Sequence, residues 1–169
     1  MSTDLSRRIL KSMSIFQKAI PAKKPRTTNS QKIAYAYAAV LVILILSQLF
    51  TFDDFIRLIE SFWLPGGMSG AHLLGSSIIA CELLALPFLL RIDLSRLMRI
   101  ICMVLSWLVP LIWFGLSLWV NLTVNAISNI GFLGSLVQLA PGWWAVLVCV
   151  ALGILSAWAS WGLWPGKRK

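Results

Sequence analysis

Glu82 stands inside an apolar run, Gly70 to Ile92 (GAHLLGSSIIACELLALPFLLRI), that is long enough to cross a bilayer. A carboxylate at that depth must either take up a proton or gather hydrogen-bond donors, because hydrocarbon supplies neither water nor counter-ions. The chemistry open to it is proton acceptance or ligand contact in a cavity among helices. The structural alternative is a neutral carboxyl that joins neighbouring helices. No basic side chain and no second carboxylate accompanies it inside the membrane.

Donors for this acid can be sought by counting depth from the inner ends of the spans at about 1.5 Å per residue. Glu82 falls about 12 Å in, Trp107 about 10 Å and Ser156 about 12 Å, so an indole N–H and a hydroxyl stand at its level. The expectation is a polar layer of Glu82, Trp107 and Ser156. His72 is about 15 Å from Glu82 along the same helix and reads as an interfacial side chain. Cys81, Cys102 and Cys149 lie at depths too different for a disulfide and read as buried, inert thiols. The sequence contains no CxxC, metal-ligand set, glycine-rich phosphate loop, Ser/His/Asp set or nucleic-acid module. It implies no cofactor and no metal.

The elements that must position Glu82 follow from composition. The chain is 59% hydrophobic and 12% charged, with a mean hydropathy of +0.83. That excludes a water-soluble core and predicts an all-α integral membrane four-helix bundle. Spans are expected at about residues 33–50, 71–90, 100–120 and 142–164, with Pro110 kinking the third. Between the first two, Phe52, Phe55, Ile56, Ile59 and Trp63 form an apolar stripe opposite Asp53, Asp54, Arg57 and Glu60. This is an outer interfacial amphipathic helix, capped by Thr51 and stopped at Pro65-Gly66-Gly67. Small residues at four-residue spacing, Gly153 with Ala157 and Ser156 with Ser160, suit close packing of the last span.

Charge sets the topology. Eight of the fifteen Lys and Arg precede Ile33, Arg91, Arg96 and Arg99 follow the second span, and Lys167-Arg168-Lys169 end the chain. The net charge of +9 therefore reads as a positive-inside signal rather than a nucleic-acid footprint, with both termini cytoplasmic. Residues 1–32 divide into a basic amphipathic segment (4–20) suited to anionic lipid headgroups and a proline-containing linker. Residues 33–166 form the membrane domain, and 167–169 a basic cytoplasmic tail. The stretch 121–140 is apolar enough to suggest a fifth crossing, but a fifth crossing would put the basic tail outside. A loop or partly embedded hairpin at the outer face fits better, with Asn121, Asn125 and Asn129 on one face if it is helical, and with Gly131 and Gly134 as further loop candidates.

The order of elements, a span, an outer amphipathic helix ending in Pro, a span with an acid, then two more spans, resembles the DoxX and MauE group of small bacterial four-helix membrane proteins. The resemblance covers roughly residues 33–164. Its most specific piece is Asn129-Ile130-Gly131-Phe132-Leu133-Gly134-Ser135 followed by Pro141-Gly142-Trp143-Trp144. MauE-like members typically carry Asn-Cys-Gly-Cys-Phe-Gly there, so Ile130 and Phe132 occupy the places of a lost cysteine pair. Glu82 takes the place of the acid common in the second span of these families. The resemblance implies an inner-membrane accessory of a redox or protein-maturation system at the outer face, with a periplasmic thioredoxin-like or oxidoreductase partner. Dithiol exchange at Ile130 and Phe132 is excluded by their chemistry, and no complete catalytic constellation makes the chain an enzyme. Two other readings stand beside this one: a transporter or binder of a proton or small lipophilic molecule using Glu82, and a purely structural membrane subunit.

Overall fold

The computed structural model describes residues 21, 25–123 and 127–164. The basic segment 4–20, Asn125 and the tail 167–169 lie outside the described residues. Five helices occur among those described, in the order α1 (Thr28–Phe50), α2 (Phe52–Glu60), α3 (Gly67–Leu89), α4 (Arg96–Thr123) and α5 (Trp143–Leu163). Helices α1, α3, α4 and α5 are each long and apolar enough to cross a membrane, so the chain is an all-helical membrane bundle. Helix α1 packs against α3 and α5, and α4 packs against the same two, closing a ring; α2 lies on α3.

Three of the expected spans begin too late by sequence count, and in two of them a polar residue at the start explains why. Helix α1 starts at Thr28 rather than near Ile33 because Thr27 and Ser30 form a reciprocal capping box, in which the Ser30 N–H donates to Thr27 Oγ1 at 3.2 Å and the Thr27 N–H donates to Ser30 Oγ at 3.3 Å. Ser30 is buried because Gly162 of α5 leaves no room between them for a side chain. The Arg26 N–H donates to the Gly162 carbonyl at 3.1 Å, and the Arg26 guanidinium stacks 5.0 Å over Trp161. These contacts tie the start of α1 to the end of α5. Helix α4 starts at Arg96 rather than near Ile100, with Ser95 Oγ accepting the Met98 N–H at 3.3 Å. Arginines that read as connection are its first turn. Helix α3 likewise begins at Gly67, four residues before the expected Ala71.

Inside the ring, polar side chains are buried, whereas the outward faces are apolar. Glu82, Gln48, Ser106, Ser117 and Ser156 have no exposed surface, but Leu73 is 74% exposed, Leu147 69% and Leu111 63%. This inversion of the soluble pattern is what bilayer contact requires.

Pro110 shows how the interior handles its own defect. A proline has no N–H for the carbonyl four residues earlier, here Ser106. The Tyr37 hydroxyl donates to that carbonyl at 2.8 Å and the Ser156 hydroxyl at 2.9 Å. Three helices therefore meet at the backbone group that Pro110 leaves open.

Helix α2 has the expected two stripes. Phe55, Ile56 and Ile59 are buried, and Asp53, Asp54, Arg57 and Glu60 are exposed. Two details differ. Trp63 does not continue the apolar stripe: it adopts φ +56° and is 82% exposed, while Phe62 turns inward and is fully buried. The Trp119 indole N–H donates to the Phe62 carbonyl at 2.9 Å, fixing that turn to α4. Thr51 does not cap α2 with its side chain; its hydroxyl donates back to the Ser47 carbonyl at 3.0 Å and accepts the Ser135 N–H at 3.1 Å.

Helix α2 can approach α3 closely because Gly75 lacks a side chain, with Ile56 and Ile59 filling the space a Cβ would take. Replacing Gly75 by Val should lower stability by about 1–3 kcal/mol through overpacking. Gly153→Ala, which meets no neighbouring atom, should stay within about 0.5 kcal/mol. Thermal unfolding of both variants in lipid nanodiscs checks the contrast; equal losses would contradict it.

Candidate functional site

Helix α3 presents Ala71, Gly75, Ile78, Glu82, Ala85 and Leu89 to the interior, a run at three- and four-residue spacing that directs Glu82 inward. The same periodicity on α1 brings in Tyr37, Leu41, Leu44 and Gln48. On α4 it brings in Ser106, Val109, Pro110, Trp113, Leu116, Ser117 and Val120. Glu82 meets the C-terminal part of those two stripes. Its Oε1 accepts the Trp113 indole N–H at 3.1 Å and the Gln48 amide N–H at 3.3 Å. Gln48 Nε2 also donates to the Phe132 carbonyl at 3.3 Å. Because the Nε2 position faces two acceptors, the orientation of the Gln48 amide is determined by its surroundings.

The acid's partners are therefore Gln48 and Trp113, and the expected layer of Glu82, Trp107 and Ser156 does not form. Trp107 is 47% exposed, with its indole N–H donating to Ser160 Oγ at 2.9 Å. Ser156 serves the Ser106 carbonyl opened by Pro110. Equal depth along the spans does not fix the azimuth of a side chain around its helix. Trp107 is one residue past the inward position Ser106, which rotates it about 100° toward the rim. Trp113, two turns along from Ser106, returns to the inward face.

The segment 127–142 carries no helix and lies against the end of the bundle where α1 stops and α2 begins. Four helices, not five, have spanning length among the described residues. Asn129 organises the segment: its Oδ1 accepts the N–H groups of Gly131 (3.0 Å) and Leu139 (3.2 Å), and its Nδ2 donates to the Gly134 carbonyl (2.9 Å). The Ile130 N–H donates to the Leu139 carbonyl at 2.8 Å, closing the hairpin base. Gly134 adopts φ +58°, and a Cβ there would strike Thr51 Oγ1 and the Ser47 carbonyl, so the turn presses directly on the end of α1. Asn121 is on α4 and donates to the Ser117 (2.7 Å) and Gly142 (3.3 Å) carbonyls. It does not share a helical face with Asn129, because the helix has ended between them.

Ile130 and Phe132 are both buried, at 0% and 4% exposure. Phe132 lies 4.8 Å from Trp113 and 6.2 Å from Trp144, centroid to centroid, and Trp113 lies 6.4 Å from Phe55. Phe132 thus stacks between a tryptophan of α4 and one of α5 and holds the loop to both helices.

Glu82, Gln48 and Trp113 are all fully buried. An apolar groove of about 240 Å³ opens between α4 and α5, beside Trp107, Pro110 and Gly153. Neither Glu82 nor Gln48 nor Trp113 lines it. Cys81, Cys102 and Cys149 are free and buried, and Cys149 is within 3.5 Å of Ser117 Oγ. No group of three His, Cys, Asp or Glu placed to hold a metal occurs among the described residues. His72 is exposed, with its ring 6.5 Å from Phe52. No family model, no curated protein and no solved structure matches this chain.

Gln48 is the residue that sequence reasoning missed. It sits near the C-terminal end of its helix, where a polar side chain draws no attention, yet it falls on the stripe of Tyr37, Leu41 and Leu44. That spacing was the available signal. The two tryptophans give a direct test. Trp113→Phe should cost about 1–3 kcal/mol by leaving Oε1 one donor short in a dry interior. Trp107→Phe, at the rim, should cost about 1 kcal/mol or less. Thermal unfolding in nanodiscs separates them; a larger loss at Trp107 would contradict the assignment of Glu82's partners.

Proposed function

We propose that this chain is a DoxX/MauE-like protein of the bacterial inner membrane, with both termini cytoplasmic. It acts as an accessory of a redox or protein-maturation system at the outer face, not as the catalyst. The observation that carries this reading is the way the outer loop is held. Gln48 on α1, Thr51 at the start of α2 and Trp113 on α4 all fasten residues 129–135. Leu136 and Val137 are left 57% and 46% exposed beside this fixed frame. A loop so fastened presents one surface, as docking with little loss of conformational entropy requires.

The dry surroundings of Glu82 favour an accessory over a transporter, since a carrier of a lipophilic molecule would need a cavity that reaches the acid. The buried, unpaired thiols argue in the same direction, because dithiol exchange requires accessible sulfur. The partner class that fits is a periplasmic thioredoxin-like or oxidoreductase domain. On the inner face, the basic segment 4–20 suits anionic lipid headgroups.

A photo-reactive residue at Leu136 or Val137, activated in intact cells, should give adducts with an outer-face protein that carries a redox-active dithiol or cofactor. The same probe at Ile154, on the outward side of α5 and 58% exposed, should give lipid adducts only. Identical adducts from both positions, or none with protein from the loop, would overturn the reading.

A further inference from the structure

Two buried polar atoms at the acid cluster have no hydrogen-bond partner, Glu82 Oε2 and Gln48 Oε1. Both belong to the groups already joined through Gln48 Nε2 and Glu82 Oε1. Both are acceptors, and neither has water-accessible surface. A water molecule or a metal cation bridging them would need space the interior does not provide. A hydrogen atom needs none.

We propose that Glu82 and Gln48 form a neutral acid–amide pair that binds one proton. Glu82 Oε2–H donates to Gln48 Oε1, while Gln48 Nε2–H donates to Glu82 Oε1. The two side chains then close a ring of two hydrogen bonds, and the second N–H of Gln48 remains for the Phe132 carbonyl. One proton satisfies both orphaned oxygens at once. It also fixes which way the Gln48 amide faces, and so holds the outer loop in register with the bundle.

The surroundings favour the neutral form. From α1, the titratable side chain near the acid is Tyr37, and from α3 itself Cys81; each is uncharged when protonated. Helix α2 turns Phe55 and Ile56 inward and keeps Asp53, Asp54, Arg57 and Glu60 exposed. On α4, Arg96 and Arg99 are more than ten residues from Trp113, roughly 20 Å along the axis. Helix α5 contributes Cys149, which is engaged with Ser117. Arg91 is about 13 Å beyond Glu82 along α3. An ionised Glu82 would therefore be a buried charge with two neutral donors on one oxygen and none on the other, an arrangement that is costly to keep. This inference is independent of which partner meets the outer face.

Infrared spectroscopy of the full-length protein in lipid nanodiscs tests it. The measurement is made at about pH 8, well above the ~4 of ordinary carboxyls. A protonated-carboxyl C=O band should persist there, vanish in Glu82→Gln, and move to higher frequency in Gln48→Met, where the acid loses its acceptor. Glu82→Gln should retain the wild-type unfolding temperature, because its amide reproduces both the acceptor and the donor of the acid. Absence of the band in wild-type protein, or a band unmoved by Gln48→Met, would overturn the proposal, and neither result depends on Glu82→Gln folding.

Discussion

A carboxyl group in a dry, apolar interior demands hydrogen-bond donors, and the geometry of this bundle follows from meeting that demand. Oε1 of Glu82 takes an N–H from α4 and another from α1, so three helices converge on one oxygen. Through the second N–H of Gln48, the same contact reaches the Phe132 carbonyl and seats the loop 127–142. In lipid there is little hydrophobic force between helices, and buried polar contacts and close packing determine which faces meet. Here the acid orients three of the four long helices.

A second polar knot works by the same logic nearer the end of the bundle where α1 begins. Pro110 frees the Ser106 carbonyl, and hydroxyls of Tyr37 and Ser156 satisfy it. The first knot joins neighbouring helices, the second reaches across the ring from α1 to α4, and each is closed to water. Together they engage the buried side chains of Glu82, Gln48 and Ser156, and they leave the outward faces free to be apolar. The loop 127–142 belongs to this scheme rather than to a separate surface feature: its aromatic residue packs on the tryptophan that serves the acid, and its glycine turn presses on the end of the helix that carries Gln48.

Much of this was legible in the residues. Four long apolar runs, the two-sided helix after the first of them, and the inward importance of Glu82 all follow from hydropathy and period. The partners of Glu82 did not, because depth along a helix was counted without rotation around it. Trp107 had the right height and the wrong side, while Trp113 had the inward side and is brought to the acid by the reach of its indole. Span starts erred because capping by Thr27 and Ser95 extends helices into residues that read as linker. Phe62 and Trp63 exchanged roles because a left-handed turn ended the helical period one residue early. The loop's fold depends on contacts between Asn129 and backbone groups up to ten residues away, which no local pattern encodes.

Gln48 couples the acid to the loop 127–142. Amide hydrogen exchange at residues 130–136, measured on the full-length protein in nanodiscs, tests it most directly. In Gln48→Met, with the rest of the bundle still protected, those amides should exchange roughly five- to tenfold faster than in wild type, the loss expected for one buried hydrogen bond. Unchanged exchange in the loop would contradict the account.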